Sequence, residues 1–173
     1  EALKQIHMAQ ENSKTIFPSA FLQIVNAENI EEPKDSQELL ELFCNHRDRD
    51  IAMGRTSVGP HRDDLYGIFS AKNIPARDSS TGEQKALLIS LILANCRALK
   101  EQTGKTPLLL LDEVAAHLDA NRRAALYEEI CALGVQAWLT GTGPELFSEL
   151  GGRSQNLQVL DGGGTSNLVP KLT

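Results

Sequence analysis

The sequence predicts an α/β fold with a core of parallel strands flanked by helices, and three stretches lead to that prediction. Residues 107–111, Pro-Leu-Leu-Leu-Leu, form a short unbroken apolar run, as expected of a central strand buried on both faces of a parallel sheet. The run that follows Gly82 has the spacing of a largely buried helix. Residues 135–140 are typical of a second buried strand.

The chain begins with elements that we assign to the end of a helical arm and its connecting strand and helix, within residues 1–50. In order, they are a helix over residues 1–16 that Pro18 stops, a strand over residues 21–26, a loop over residues 29–34, and a helix that Ser36 caps and that ends near residues 45–48.

A charged cluster, His-Arg-Asp-Asp at residues 61–64, lies between two further predicted strands. These strands, residues 54–60 and residues 65–69, would pair as a hairpin. A metal site is disfavoured because further ligands are lacking nearby and Arg62 would oppose the cation. A surface loop whose charges pair with one another is the simplest interpretation.

A corner of hydroxyls and glycine precedes the buried helix. Residues 79–81 are Ser-Ser-Thr, Gly82 lets a backbone approach a ligand closely, and Glu83 begins a run of good helix formers. Free N–H groups and the helix dipole make such a corner an anion site. The alternative is a capping box between Ser80 and Glu83 that needs no ligand.

Two adjacent carboxylates, Asp112 and Glu113, end the apolar strand. Ligands of open α/β sheets bind beyond the carboxyl ends of the strands, which is where these acids would lie. Asp112 suits Mg²⁺, which shares its coordination shell with substrate phosphates, and Glu113 is placed to orient or deprotonate an attacking water. The alternative is that Asp112 caps a helix and Glu113 is a solvated acid in its first turn.

The C-terminal part continues the alternation of helix and strand. The predicted elements are a helix over residues 120–133 with Gly134 as its C′ residue, the strand over residues 135–140, a short helix with Pro144 at N1, an edge strand over residues 156–160, and a loose tail over residues 161–173. Arg122 and Arg123 stand at a helix start, against the dipole preference, and are therefore expected to make contacts elsewhere.

A phosphate-binding loop of the form G-x-x-x-x-G-K-[ST] is absent from the sequence. Gly104-Lys105-Thr106 matches its last three positions, but the residue five positions before Gly104 is Leu99. These residues also follow a helix and precede a strand, which is the reverse of the required context. We interpret Gly104 as a helix C-cap followed by a turn.

Composition sets broader limits. A chain of 173 residues, 41% hydrophobic and 23% charged, can bury one core. The net charge of −6 argues against a freestanding cationic DNA-binding module, although the 17 Lys and Arg residues can still cluster. Cys96 and Cys131 fall in helical apolar patterns and predict buried free thiols. No apolar stretch is long enough to cross a membrane, so a cytoplasmic location is expected.

The order of these motifs resembles that of ATP-binding-cassette ATPases. Residues 80–83, Ser-Thr-Gly-Glu, resemble the signature motif, residues 108–113 the Walker B strand, and residues 117–119 the D-loop. Within that superfamily, residues 54–65 add a resemblance to the RecF family of bacterial replication and repair ATPases. The resemblance covers residues 51–160, which implies the C-terminal part of a cassette ATPase head.

The resemblance implies a role for each motif. Two heads would close as an ATP-dependent homodimer: Asp112 (through Mg²⁺) and Glu113 would act on the ATP of their own head, and Asp119 would lie at the seam. Four signature residues would bind the partner's ATP in trans: Ser80, Thr81, Gly82 and Glu83. His61 or Arg62 would contact a phosphate of nucleotide or DNA.

The family's phosphate-binding loop lies near the N-terminus, so this chain is expected to be part of a longer ATPase and inactive alone. Many cassette ATPases carry a switch histidine after the strand over residues 135–140. Here Gly141 and Thr142 occupy that place, and Thr142 is a candidate phosphate sensor.

The implied role of the longer protein is binding duplex DNA near single-strand gaps. It would load recombinase together with mediator proteins of the RecO and RecR type, in recombinational repair, replication and the SOS response. Two alternatives stay open. One is the head of a long coiled-coil chromosome or repair protein, of the SMC or RecN type, and the other is a non-enzymatic interaction module.

Overall fold

The structure is a computed structural model that describes residues 1–26 and 33–171, so most of the predicted loop over residues 29–34 lies outside it. The helices are α1 Ala2–Glu11, α2 Ser36–Met53, α3 Thr81–Thr103 and α4 Ala120–Leu133. The strands are β1 Ala20–Asn26, β2 Asp63–Phe69, β3 Ile74–Pro75, β4 Leu109–Leu111, β5 Ala137–Leu139, β6 Asn156–Asp161 and β7 Ser166–Lys171. None of these helices is long and apolar enough to span a membrane.

The predicted parallel strands are present as β4 and β5, which align Leu109 with Ala137 and Leu111 with Leu139. Helices α3 and α4 and the 3₁₀ segment Pro144–Arg153 pack against this pair. Their shared core includes the residues Ile89, Leu93, Leu109, Leu111, Leu126, Tyr127, Ile130 and Leu150. This is the α/β architecture that the apolar runs predicted.

The expectation that the strand of residues 107–111 is buried on both faces is wrong within the described chain. Leu109 and Leu111 are buried in the core, whereas Leu110 is 68% exposed and Leu108 is 55% exposed. Successive strand residues point to opposite faces, so burial alternates wherever only one face is covered. On β5, Trp138 is also exposed, at 53%.

Helix α3 has the ends that the sequence predicted. Ser80 and Glu83 form a capping box at its start. Gly104 follows its end in the left-handed conformation, with φ +68°, and its N–H donates to the Lys100 carbonyl. The Gly-Lys-Thr stretch is therefore a helix C-cap and a turn, as expected from its context.

The N-terminal half forms an antiparallel sheet in the order β1-β2-β3. The buried side chain of Gln10 in α1 bonds both the N–H (2.9 Å) and the carbonyl (3.1 Å) of Ala20 at the start of β1. The predicted hairpin is wrong in its partner, because β2 pairs with β1 and β3 rather than with residues 54–60, which form no strand. A hydrophobic pattern identifies a strand but not its neighbour.

Helix α2 is longer than predicted, and its cap is one residue earlier. The carboxylate of Asp35 accepts from the N–H groups of Gln37 and Glu38, both at 2.9 Å, so Asp35 rather than Ser36 is the N-cap. The helix continues through the balanced charges of residues 47–50 and ends at Gly54, which has φ +64°. Charged residues do not end a helix in the way that a left-handed glycine does.

The C-terminal part confirms helix α4, including Gly134 after its end with φ +63°. The prediction of a loose tail is wrong for residues 166–171, which form β7 and pair with β6 as an antiparallel hairpin. The Gly-rich stretch is its turn: the Gly162 N–H donates to the Thr165 carbonyl (2.8 Å), and Gly163 has φ +76°. Glycine adopts such angles without steric cost.

Cys131 differs from its prediction as well. Cys96 is buried as expected, and burial raises the pKa of its thiol. Cys131 is exposed, because the residues of α4 that face the core are Leu126, Tyr127, Ile130 and Leu133. An apolar pattern sets the buried face of a helix only to within a residue or so.

Candidate functional site

The candidate site lies where β4 and β5 end side by side. The parallel pairing continues beyond the strands, since the Thr140 N–H donates to the Leu111 carbonyl (3.0 Å). The next residue of each strand therefore comes into contact: the Thr140 hydroxyl donates a short hydrogen bond to Oδ1 of Asp112. The same Thr140 oxygen accepts from the Glu113 N–H (2.9 Å). One hydroxyl thus joins both predicted acids.

Glu113 has an uncommon backbone conformation. Its φ is +53°, one of two positive values among the described non-glycine residues. Residues other than glycine rarely adopt this backbone conformation, which costs of the order of 1–3 kcal/mol in strain. Such outliers cluster at functional sites, where neighbouring structure holds them in place. Here the holding contact is the Thr140 oxygen on the Glu113 N–H.

The helix-cap alternative for the acids does not describe the structure. The carboxylate of Asp112 bonds Thr140 across the sheet, and the 3₁₀ segment Ala115–His117 that follows has Val114 at its N-cap with no side-chain hydrogen bond. Asp112 is exposed and Glu113 is half-buried. Both carboxylates therefore border solvent at the carboxyl edge of the parallel pair, as the sequence predicted.

The donor set at this edge fits Mg²⁺ bound together with phosphates. Asp112 presents an exposed carboxylate that keeps Oδ2 outside its bond to Thr140. Within residues 1–26 and 33–171, no group of three or more His, Cys, Asp or Glu side chains could hold a metal by itself. Mg²⁺ commonly takes one or two carboxylates and completes its shell with water and substrate phosphates.

The Ser80 corner is exposed and highly ordered by hydrogen bonds. The Glu83 carboxylate accepts from the Ser80 N–H (3.1 Å) and hydroxyl (2.9 Å), while the Ser80 oxygen accepts from the Glu83 N–H (3.4 Å). Lys72 pairs with the other Glu83 oxygen at 2.7 Å. The bond from Lys72 and those from Ser80 lower the pKa of Glu83 from 4.5 to about 2.

The capping box does not exclude an anion site at this corner. Ser80 and Thr81 are exposed, and a Cβ placed on Gly82 would meet no atom within 4 Å. The corner is therefore open to an incoming ligand or surface. The capping box holds it in shape without closing it.

Asp119 caps α4, with its carboxylate accepting from the Arg122 N–H (2.9 Å), and its side chain is 61% exposed. The prediction that the arginines contact other parts of the chain is confirmed for Arg123. Its guanidinium donates to the Leu118 carbonyl (2.9 Å) and to Glu149 (3.0 Å). Arg123 thus holds the predicted D-loop through the Leu118 carbonyl, while the Asp119 side chain is exposed to solvent.

The remaining predicted residues come from the segment after β5 and from the segment before β2. Thr142 is exposed beyond β5, and the hydroxyl that reaches the acids is that of Thr140, two residues earlier. The sequence places Thr140 at the end of the predicted strand over residues 135–140, but its contact with the acids depends on how that strand aligns with β4. His61 contacts the Thr56 carbonyl (3.2 Å), Arg62 is half-buried, and both precede β2 in the other sheet.

Comparison with known proteins shows extended similarity to RecF. The chain is 44% identical over 164 residues to the DNA replication and repair protein RecF of Rhizobium rhizogenes, covering 92% of this chain and 44% of that protein. It is 54% identical over 120 residues to RecF of Allorhizobium ampelinum, covering 69% of this chain and 32% of that protein. The chain spans less than half the length of these relatives. No protein-family model matches it.

Solved structures show the same fold. The recombination mediator protein RecF-ATPrS in the RecFOR pathway matches with a TM-score of 0.62 at 24% identity, over 97% of this chain and 43% of that chain. RecF-ATP in the same pathway matches with a TM-score of 0.56 at 27% identity, over 82% of this chain and 38% of that chain. A structure from work on ATP-driven dimerization of SMC ATPases matches with a TM-score of 0.53 at 16% identity, over 98% of this chain and 85% of that chain.

Proposed function

The chain is a homologue of RecF over most of its length, and from that premise we propose that it is the C-terminal part of an ATPase head in recombinational repair. The observation that carries this proposal is the Asp112–Thr140–Glu113 group at the carboxyl ends of two parallel strands. The phosphate-binding loop would come from the rest of the longer protein. ATP and Mg²⁺ would then meet these acids in one crevice.

Each acid has one role in the proposed reaction. Asp112 would help to hold Mg²⁺, and the ion would supply positive charge against the phosphates of ATP. Glu113 orients the attacking water and accepts its proton. Hydrolysis of this kind depends on positioning and electrostatics rather than on a covalent intermediate.

The signature corner acts on the ATP of a second head in this proposal, as the resemblance to cassette ATPases implies, and α3 separates the corner from the acids of its own chain. Helix α3 rises about 36 Å from Ser80 to Gly104, at 1.5 Å per residue. The eight residues from Gly104 to Asp112 can return at most about 28 Å, at 3.5 Å per residue. The Cα atoms of Ser80 and Asp112 are therefore at least about 8 Å apart within one chain.

The proposed cycle places each corner against the nucleotide of the other head. ATP closes a homodimer in which Ser80, Thr81, Gly82 and Glu83 of one head meet the γ-phosphate held by the other, with Asp119 at the seam. Hydrolysis removes that phosphate and reopens the dimer. Closure forms a surface for duplex DNA near single-strand gaps, with His61 or Arg62 contacting phosphate. RecO- and RecR-type mediators then assist recombinase loading, in the cytoplasm.

The test is Glu113→Gln in the full-length protein. Glutamine keeps the size of the side chain but cannot accept the proton, so ATP turnover should fall by about 100-fold or more. ATP-driven dimerisation, measured by light scattering, should persist because Asp112 and the corner are intact. Glu41→Gln, at an exposed position of α2, is the matched control and should hydrolyse ATP normally. Unchanged turnover in Glu113→Gln would refute the assignment of Glu113 as the base.

A further inference from the structure

We infer that Thr140 is a positioning residue of the proposed reaction, whose hydroxyl fixes the metal-binding carboxylate and the backbone of the base at the same time. This inference rests on the proposed function. It begins from a pair of contacts: Thr140 donates to Oδ1 of Asp112 and accepts from the Glu113 N–H at 2.9 Å.

The hydroxyl of threonine suits this double contact. It carries one donor and two acceptor positions, so it can bond a carboxylate and an amide simultaneously. Its donor is used on Asp112, which is acceptor-only when ionised, and its acceptor is used on a backbone N–H. The bond to Oδ1 selects one orientation of the Asp112 side chain and leaves Oδ2 to a metal ion. Hydrogen bonds of this outer kind orient metal ligands.

The second contact restrains Glu113. With φ +53°, the Glu113 backbone is in a region that non-glycine residues leave when nothing holds them there. Its N–H bonds the Thr140 oxygen, which belongs to the neighbouring strand. Loss of that oxygen frees the peptide to relax and the Glu113 carboxylate to move from the crevice. A displacement of about 1 Å slows a positioned reaction by about 100-fold, so a partial displacement is expected to cost about 10-fold.

Valine and serine at this position separate the hydroxyl from the shape of the side chain. In the full-length protein, Thr140→Val should raise the Mg²⁺ concentration for half-maximal ATP turnover by about 10-fold and lower kcat by about 10-fold. Thr140→Ser keeps the hydroxyl and should restore both to within about two-fold of wild type. Thr106→Val makes the same change at an exposed threonine ahead of β4 and should leave both unchanged.

A measurement that does not depend on turnover tests the same contact. Hydrogen–deuterium exchange at the Glu113 amide should be faster in Thr140→Val by about 10-fold, since its acceptor is lost, and unchanged in Thr140→Ser. Wild-type Mg²⁺ dependence and wild-type exchange in Thr140→Val would overturn the inference.

Failure of the proposed function gives a different result. If the wild-type protein does not hydrolyse ATP, the proposed function falls, and exchange at the Glu113 amide still decides whether Thr140 holds that peptide. If Glu113→Gln is inactive while Thr140→Val matches wild type in both measurements, the proposed function stands and the role of Thr140 is refuted.

Discussion

At the scale of single residues, Glu83 couples its charge to folding. Its pKa in the folded chain, about 2, lies below the usual 4.5, because Lys72 and Ser80 donate to the carboxylate. The unfolded chain therefore binds this proton more readily than the folded chain. The stabilising contribution is complete above the unfolded pKa of 4.5 and is lost as the pH falls toward 2.

Glu83→Gln should accordingly flatten the acid side of the stability curve. The free energy of unfolding, measured by urea titration between about pH 5 and pH 2, should fall less steeply with decreasing pH than in wild type. Glu41→Gln is a control at an exposed glutamate. Equal slopes in wild type and Glu83→Gln would show that the ion pair with Lys72 does not shift this group.

Local sequence was sufficient to predict some residues of the site, but not those whose contacts depend on how distant strands align. Asp112 and Glu113 follow an apolar run, and the position of a strand end is a local property. Their partner Thr140 lies 28 and 27 residues away in sequence, so its contact depends on the alignment of β4 with β5. The positive φ of Glu113 likewise has no local sequence signal, because glutamate does not favour it.

At the scale of elements, helix ends were predictable and strand partners were not. Gly104 and Gly134 end α3 and α4 as expected, since glycine adopts the left-handed conformation at no steric cost. The pairing of β2 with β1 spans a long stretch of chain and follows from packing, which no local pattern encodes. The pairing of β7 with β6 was not predictable either, because the glycine-rich segment before β7 is equally typical of a disordered tail.

The start of α3 permits a test that separates capping from ligand contact. Ser80→Ala removes the cap acceptor and should lower the free energy of unfolding by about 1 kcal/mol. Ser80→Asn keeps a good cap residue and should cost much less. In the full-length protein, however, both variants should lose ATP-driven dimerisation, because neither places a small hydroxyl at the exposed corner. Normal dimerisation of Ser80→Asn would contradict contact with nucleotide in trans.

At the scale of the whole molecule, the described chain leaves several apolar surfaces uncovered, and two of them are sheet faces in its C-terminal half. One is the outer face of β4 and β5, with Leu108, Leu110 and Trp138. The other is one face of the terminal hairpin, where Val159 pairs with Leu168, 66% and 67% exposed. Parallel sheets are ordinarily covered on both faces. Since the relatives are more than twice as long, we expect the rest of the proposed longer protein to cover the face of β4 and β5.

Trp138 reports on that packing, because it is the one tryptophan of this sequence and is 53% exposed. In a full-length protein whose other tryptophans are replaced by phenylalanine, Trp138 should emit at shorter wavelength than a solvated indole and resist quenching by iodide, since burial excludes water and ions. A companion protein, with Trp138→Phe and Asn45→Trp on the exposed side of α2, should be quenched readily. Ready quenching of Trp138 itself would mean that the rest of the proposed longer protein packs elsewhere. Protection that appears only as protein concentration rises would identify a second copy as the cover.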